Sequence, residues 1–105
     1  MQKNKLVYSP EAMNDLDEIW EYIYLETLDN QISNKTINKI LDTVDTLKDF
    51  SEIGAKLSGI TNIKCDYRFL VVGKYLVFYR TIQETVYIDR VLSSRQSYLK
   101  ILFSQ

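Results

Sequence analysis

Histidine is absent from this 105-residue chain, and that absence narrows its chemistry first. Imidazole is the commonest general acid–base near neutral pH and a frequent metal ligand; any reaction here runs without it. Cysteine occurs once, at Cys65, which excludes an internal disulfide and any multi-cysteine metal centre. In a strand-forming stretch it reads as a small buried apolar residue rather than a nucleophile. One proline and three glycines leave most of the chain free to enter regular elements. Gly54, Gly59 and Gly73 are too far apart to form a phosphate-cradling loop. No apolar run approaches the roughly 20 residues of a membrane-spanning helix. Residues 1–8 carry two lysines with no apolar signal region behind them, so a cytoplasmic location without a membrane partner is expected.

What is present is the composition of a folded protein, 46% hydrophobic and 26% charged, at a length that suits one domain over residues 1–105. The net charge of −1 conceals an asymmetry. Residues 1–50 hold ten acids and five bases, whereas residues 51–105 hold four acids and eight bases. All four arginines, Arg68, Arg80, Arg90 and Arg95, lie in the second half. Guanidinium is suited to bidentate binding of phosphate or carboxylate, so an anion-facing surface is expected there, against the plainer alternative of arginines scattered over a solvated surface.

Residues 5–8 form a short strand candidate. Ser9-Pro10 then reads as a helix start, with serine capping free amides and proline tolerated in the first turn. Met13, Leu16, Trp20 and Ile23 recur at helical spacing, widened by Ile19 and Tyr24. The acids Glu11, Asp15, Asp17, Glu18 and Glu21 crowd the early turns, where the helix dipole favours negative charge; they read as a solvated face rather than a metal site. The pattern breaks at Leu28-Asp29-Asn30. A second helix follows, with Ile37, Ile40, Leu41, Val44 and Leu47 on one face and Phe50 near its end. Two amphipathic helices joined by so short a turn form an antiparallel hairpin.

Residues 51–62 read as a connecting loop, after which the period changes to that of strands: 63–72, 75–80 and 85–92, joined by turns at Gly73-Lys74 and 82–84. Ser93-Ser94 is placed to cap a last short helix over 95–103. In 63–72 one face shows Ile63, Cys65, Tyr67, Phe69 and Val71 and is expected to pack on the hairpin. The other shows Lys64, Asp66, Arg68, Leu70 and Val72. Because 75–80 is apolar on both faces, something besides water should cover part of the second face, either the C-terminal helix or a partner chain.

Specific residues in 66–80 and 86–98 carry a resemblance. Tyr67-Arg68 opens the strand meander, Gly73-Lys74-Tyr75 forms a hairpin turn, and Tyr79-Arg80 closes the second strand. The last strand then runs into a segment with Arg95 and the aromatic Tyr98. The chain in this respect resembles the RelE/ParE superfamily of toxins from type II toxin–antitoxin systems, some of which are labelled plasmid stabilisation proteins. The match covers about half the chain at residue level and nearly all of it as element order. It implies an α+β fold: a short N-terminal strand, an antiparallel helix hairpin packed on a mainly antiparallel sheet of three to four strands, and a short C-terminal helix. Departures occur at Ser93, where many relatives carry histidine, and at Gln96 and Ser97, where they carry a base and an aspartate.

Two modes of action follow from the resemblance. In RelE-like members a 2′-hydroxyl of messenger RNA on the ribosome attacks the adjacent phosphate without metal. That step needs a proton acceptor, a positive clamp and a donor for the leaving oxygen. By resemblance Arg68 and Arg95 would be the clamp, and Tyr98 the group for proton transfer or base stacking. Tyr98 could equally anchor the last helix to the sheet, and Arg68 could pair with Asp66 or a helix carboxylate. ParE-like members bind DNA gyrase and trap it on cleaved DNA, which needs a presented surface rather than a tuned pKa. Arg90, Arg95 and Lys100 are the contacts implied there, with Lys64 and Arg80 as further basic residues for a nucleic acid or target. Either mode implies a cognate antitoxin lying across an apolar groove, expected at the helix hairpin and the strand 75–80. No cofactor and no metal are implied. A small α+β binding domain without toxicity is the alternative.

Overall fold

The computed structural model describes residues 3–103, so the outermost residues of the expected 1–105 domain lie outside it. Strand β1 (Lys5–Tyr8) leads into helix α1 (Pro10–Thr27). Ser9 caps that helix as its sequence suggests, its Oγ accepting from the Ala12 amide at 2.9 Å while donating to the Asp89 carbonyl at 2.8 Å. Pro10 occupies the first turn, where its missing N–H costs nothing. The helix ends at Leu28, which adopts a left-handed φ of 55°. Asp29 then caps helix α2 (Asn30–Asp45) by accepting from the Gln31 amide at 2.8 Å. A 3₁₀ turn at Thr46–Lys48 extends α2 and buries Leu47. Phe50, expected near the helix end, is exposed.

Five strands form one sheet in the order β1-β5-β4-β3-β2. The meander consists of β3 (Arg68–Val72), β4 (Tyr75–Ile82) and β5 (Thr85–Ser93), all antiparallel. β1 adds to β5 in parallel, and the two-residue β2 (Ala55–Lys56) adds to β3. β2 lies within the stretch expected to be only a loop. The first meander strand is shorter than its 63–72 pattern suggests, since residues 63–67 precede β3 as irregular chain. Past Lys56 the pairing continues by one bond, from the Leu57 amide to the Tyr67 carbonyl at 2.9 Å, before the chain enters a 3₁₀ turn at Leu57–Gly59, and β-propensity without further hydrogen-bonding partners does not hold residues 63–66 as a strand.

The two faces of the sheet are covered differently, and the expected assignment is inverted. Leu70, Val72, Val77, Tyr79, Val86, Ile88 and Val91 pack with Ala12, Leu16, Ile19, Ile40 and Val44 of the hairpin. Leu76, Phe78 and Leu92 form a second cluster on the opposite face with Leu57, joined by Cys65, Tyr67 and Phe69. Helix α3 (Tyr98–Phe103) lies over this second cluster through Tyr98, Leu99, Ile101, Leu102 and Phe103. The C-terminal helix is therefore the cover that a doubly apolar β4 requires. It begins three residues later than expected, because Ser93, Ser94 and Gln96 make a turn: Ser93 Oγ accepts from the Arg95 amide, and the Gln96 side chain accepts from the Ser93 amide.

The buried stripe of α1 is also rotated from the expected one. Ala12, Asp15, Leu16 and Ile19 face inward, whereas Met13 is half exposed and Trp20 lies at the rim, stacked on Tyr24 at 5.3 Å. The Trp20 indole donates to Asn34 at 2.8 Å, and Ser33 donates to the Trp20 carbonyl, tying α1 to α2 by polar as well as apolar contact. No helix in the described residues is long and apolar enough to cross a membrane.

Candidate functional site

Arg68 stands at the start of β3 opposite Tyr79 on β4, and both are committed to holding the loop before β2. The Arg68 guanidinium donates to the carbonyls of Gly54 at 2.8 Å and Glu52 at 3.2 Å. The Tyr79 hydroxyl accepts from the Gly54 amide and donates to the Ser51 carbonyl, each at 2.9 Å. The loop comes so close that a Cβ on Gly54 would overlap the Tyr79 hydroxyl. Burial opposes ionisation of Tyr79 and raises its pKa, against the lowering by the Gly54 hydrogen bond. Glu52, not the expected Asp66, is the carboxylate beside Arg68, at a loose 3.9 Å.

Two more arginines are paired within the fold. Arg90 makes a bidentate contact with Asp15, at 2.8 Å on each oxygen, and the Val91 amide donates to the same carboxylate at 2.9 Å. Asp15 is only 5% exposed, so this member of the α1 acids is a buried link between α1 and β5 rather than part of a solvated face. Arg80 donates to Asp89 at 2.7 Å, and its guanidinium carbon lies 5.8 Å from the Tyr67 ring centre. A register shift between Phe78 and Tyr79 makes Asp89 the extra residue on β5, and such bulges re-aim side chains. Hydrogen bonding to Asp15 and to Asp89 raises the pKa of Arg90 and Arg80 respectively. Burial first, and then Asp89, push the Tyr67 phenol up.

Arg95 differs from these three. It is exposed, and its guanidinium has no hydrogen-bond or ion-pair partner among the described residues. It lines a recess of about 440 Å³ with Asp15, Glu18, Tyr22, Lys74 and Tyr75. Tyr98 is elsewhere: its ring stacks on Phe78 at 5.5 Å, on the α3 face of the sheet. It thus anchors the last helix, as one of its two expected roles has it. Lys100 is exposed on α3 and Lys64 is exposed in the chain before β3.

The expected trio does not converge. Arg68 shares the hairpin face with Tyr79, while Tyr98 lies on the opposite face. Arg95 follows Ser93, which pairs with Tyr75 and through it with Val72, at the far end of β3 from Arg68. That separation is four residues along the strand, about 13 Å, and two strand spacings across, about 10 Å. Among the described residues no three His, Cys, Asp or Glu side chains stand together in a metal-holding group.

Sequence reasoning missed the Asp15–Arg90 pair and the bulge at Asp89. It also missed a second recess of about 510 Å³, lined among others by Tyr22, Ile32, Lys35, Lys39, Lys74 and Tyr75. Asp15 recurs with Ala12 and Ile19 at helical spacing, a signal for an inward carboxylate that the neighbouring acids masked.

These features define an α+β protein in which a helix hairpin rides on a five-stranded sheet and Arg95, without a partner among the described residues, is presented beside the hairpin. A family model described as "ParE toxin of type II toxin-antitoxin system, parDE" matches residues 6–98. The chain belongs to this ParE toxin family. A solved structure titled "Chromosomal ParDE TA system from P. aeruginosa" is similar in fold, with a TM-score of 0.72, 19% identity, and coverage of 87% of this chain and 96% of that one. No curated protein matches the chain in sequence.

Proposed function

We propose that this chain is the toxin of a type II toxin–antitoxin pair, that it arrests growth by binding DNA gyrase, and that a cognate antitoxin neutralises it. The observation that carries the reading is the dispersal of Arg68, Arg95 and Tyr98. RNA cleavage needs a clamp and a proton-transfer group around one phosphate, and here Arg68 is engaged with backbone carbonyls on one face while Tyr98 packs on the other. A target-binding toxin needs only a presented surface. Arg95, unpaired among the described residues, supplies a planar donor for a carboxylate or phosphate on the target, and Lys100 adds charge on the following helix. Arg80 and Arg90 act at one remove, holding β5 and the hairpin in place. Family membership and the similarity to a ParDE structure support the same side of the choice.

Induced expression in a bacterial host, with plasmid topology and messenger RNA 5′ ends scored together, tests this. The expected outcome is growth arrest with accumulating gyrase–DNA breaks and intact messages, weakened by Arg95→Ala. Cleavage of messages at codon boundaries would place the chain with the ribosome-dependent nucleases instead. Growth unaffected by the chain would leave a binding domain without toxicity.

A further inference from the structure

Tyr22 and Tyr75 are the two aromatic residues that line both recesses on the hairpin side. Tyr22 is 63% exposed on α1, and Tyr75 is partly buried at the start of β4. Burial first, and then Tyr22, raise the pKa of Tyr75, in keeping with two phenols that lie close together. Neither ring stacks on another among the described residues, whereas the neighbouring Trp20 and Tyr24 stack on each other. Tyrosine rings left without an aromatic partner at the wall of a recess offer faces on which a flat group can stack.

Four cations stand around the same two recesses. Lys35 and Lys39, one helical turn apart on α2, line the recess of about 510 Å³ together with Lys74 of the β3–β4 turn. Lys74 also lines the recess of about 440 Å³, where Arg95 joins it. All four side chains are exposed, and none is in an ion pair among the described residues. The acids lining the recesses are Asp15, Glu18 and Glu26, and Asp15 is already taken by Arg90. Four cations against two remaining acids make this strip positive in a chain whose net charge is −1. Cations interleaved with unstacked aromatic rings are the combination that tracks a single nucleic-acid strand. A duplex keeps its bases paired and withholds their faces from the tyrosines.

We infer that the two linked recesses bind a short single strand of DNA, its bases stacked on Tyr22 and Tyr75 and its phosphates held by Lys35, Lys39, Lys74 and Arg95. The lysines act as point charges along the backbone, and the Arg95 guanidinium presents a planar fork to one phosphate. Every base has a π-face, so stacking of this kind selects an unpaired strand and tolerates any sequence. The inference deepens the gyrase reading above and rests on it for the source of the strand: DNA cut in the grip of gyrase presents broken strands. A chain that holds such a strand as well as the enzyme opposes resealing of the break.

The test is fluorescence anisotropy of labelled oligothymidylate titrated with the full chain, alongside a duplex of equal length and oligouridylate. The single DNA strand is expected to bind about tenfold or more tightly than the duplex. Its affinity should fall with salt at a logarithmic slope of about −2 to −3, as four phosphate contacts on a single strand give. Tyr22→Ala is expected to weaken binding about tenfold, and Tyr22→Phe, which keeps the ring, to bind like the wild type. A thermal unfolding midpoint shared by both variants separates lost stacking from lost fold. Lys35→Gln with Lys39→Gln should flatten the salt slope by about 1.4, whereas Lys56→Gln, on β2 and outside both recesses, should leave it as it is. Wild-type affinity in Tyr22→Ala, or equal affinity for duplex and single strand, would overturn the site. Oligouridylate bound in preference to oligothymidylate would overturn DNA as its occupant. Supercoiling by purified gyrase reads the target separately. Inhibition without oligonucleotide binding sinks the site alone, and oligonucleotide binding without inhibition sinks the gyrase reading alone.

Discussion

Asp15 shows at the scale of one residue how charge is used inside this fold. Its carboxylate takes three donors, two from Arg90 and one from the Val91 amide, so burial leaves little of its hydrogen-bonding capacity unmet. Removing it strands a partly buried guanidinium and an amide of β5. Breaking such a pair from one side costs about 3 kcal/mol or more. Asp15→Ala is therefore expected to lower the urea-unfolding free energy by about that amount, and a loss below about 0.5 kcal/mol would show the pair to be incidental. Tyrosine gives the pH counterpart. Burial, aided by Asp45, pushes Tyr8 up from 10.0 to about 12, and Tyr67, Tyr75 and Tyr79 shift the same way. The native state binds these protons more tightly than the unfolded chain. Their stabilisation is complete below pH 10 and is lost as pH rises from there through the raised folded values. Tyr8→Phe should unfold like the wild type near neutrality and retain more stability than it between pH 10 and 12. An identical alkaline midpoint would refute the attribution.

At the scale of elements, Leu28 and Gln83 carry the same left-handed backbone at two different turns. Gln83, the first loop residue between β4 and β5, has the same φ of 55° as Leu28 and lines a recess of about 370 Å³ with Glu52, Asp66 and Arg68. Gln83→Gly should stabilise the chain by about 0.5 kcal/mol, as relief of the left-handed strain exceeds the added entropy of the unfolded state. A destabilised variant would mean that the Gln83 side chain makes a contact that offsets its conformation. The sequence showed the order of elements because helical and strand periods are local. Ser9, Pro10 and Gly73 each marked a boundary that the structure keeps. The strand faces were harder to read. Alternation separates Leu70 and Val72 from Phe69 and Val71, yet says nothing about which set meets the hairpin; both sets are apolar, and the α3 aromatics decide it by covering Phe78. The α1 stripe was misjudged for a related reason. Met13 and Trp20 are the more hydrophobic residues, but the inward positions are decided by Arg90 reaching Asp15. β2 was invisible because its two residues owe their pairing to Arg68 and Tyr79 drawing the preceding loop against the sheet.

The whole molecule brings these scales together on one side. Arg68, Arg80 and Arg90 act inward and stabilise the architecture, leaving Arg95 as the arginine that faces outward without a partner among the described residues. The basic second half of the chain suggested an anion-facing surface, and the residue types were right; what composition cannot reveal is how many of the arginines the fold itself consumes. Of the candidate site, Arg95 and Lys100 were legible as exposed cations. The recesses on the hairpin side, one of them lined by Arg95, were not, since their walls come from α1, α2, the β3–β4 turn and the end of β5, which meet only in three dimensions. The central claim is that this surface engages gyrase. The most direct measurement is supercoiling by purified gyrase titrated with the purified chain, with ribosome-programmed messenger RNA incubated in parallel. The account predicts inhibited supercoiling with trapped cleaved DNA, relieved by Arg95→Ala and by prior addition of antitoxin, and uncut messenger RNA. Active gyrase alongside cleaved messenger RNA would contradict it.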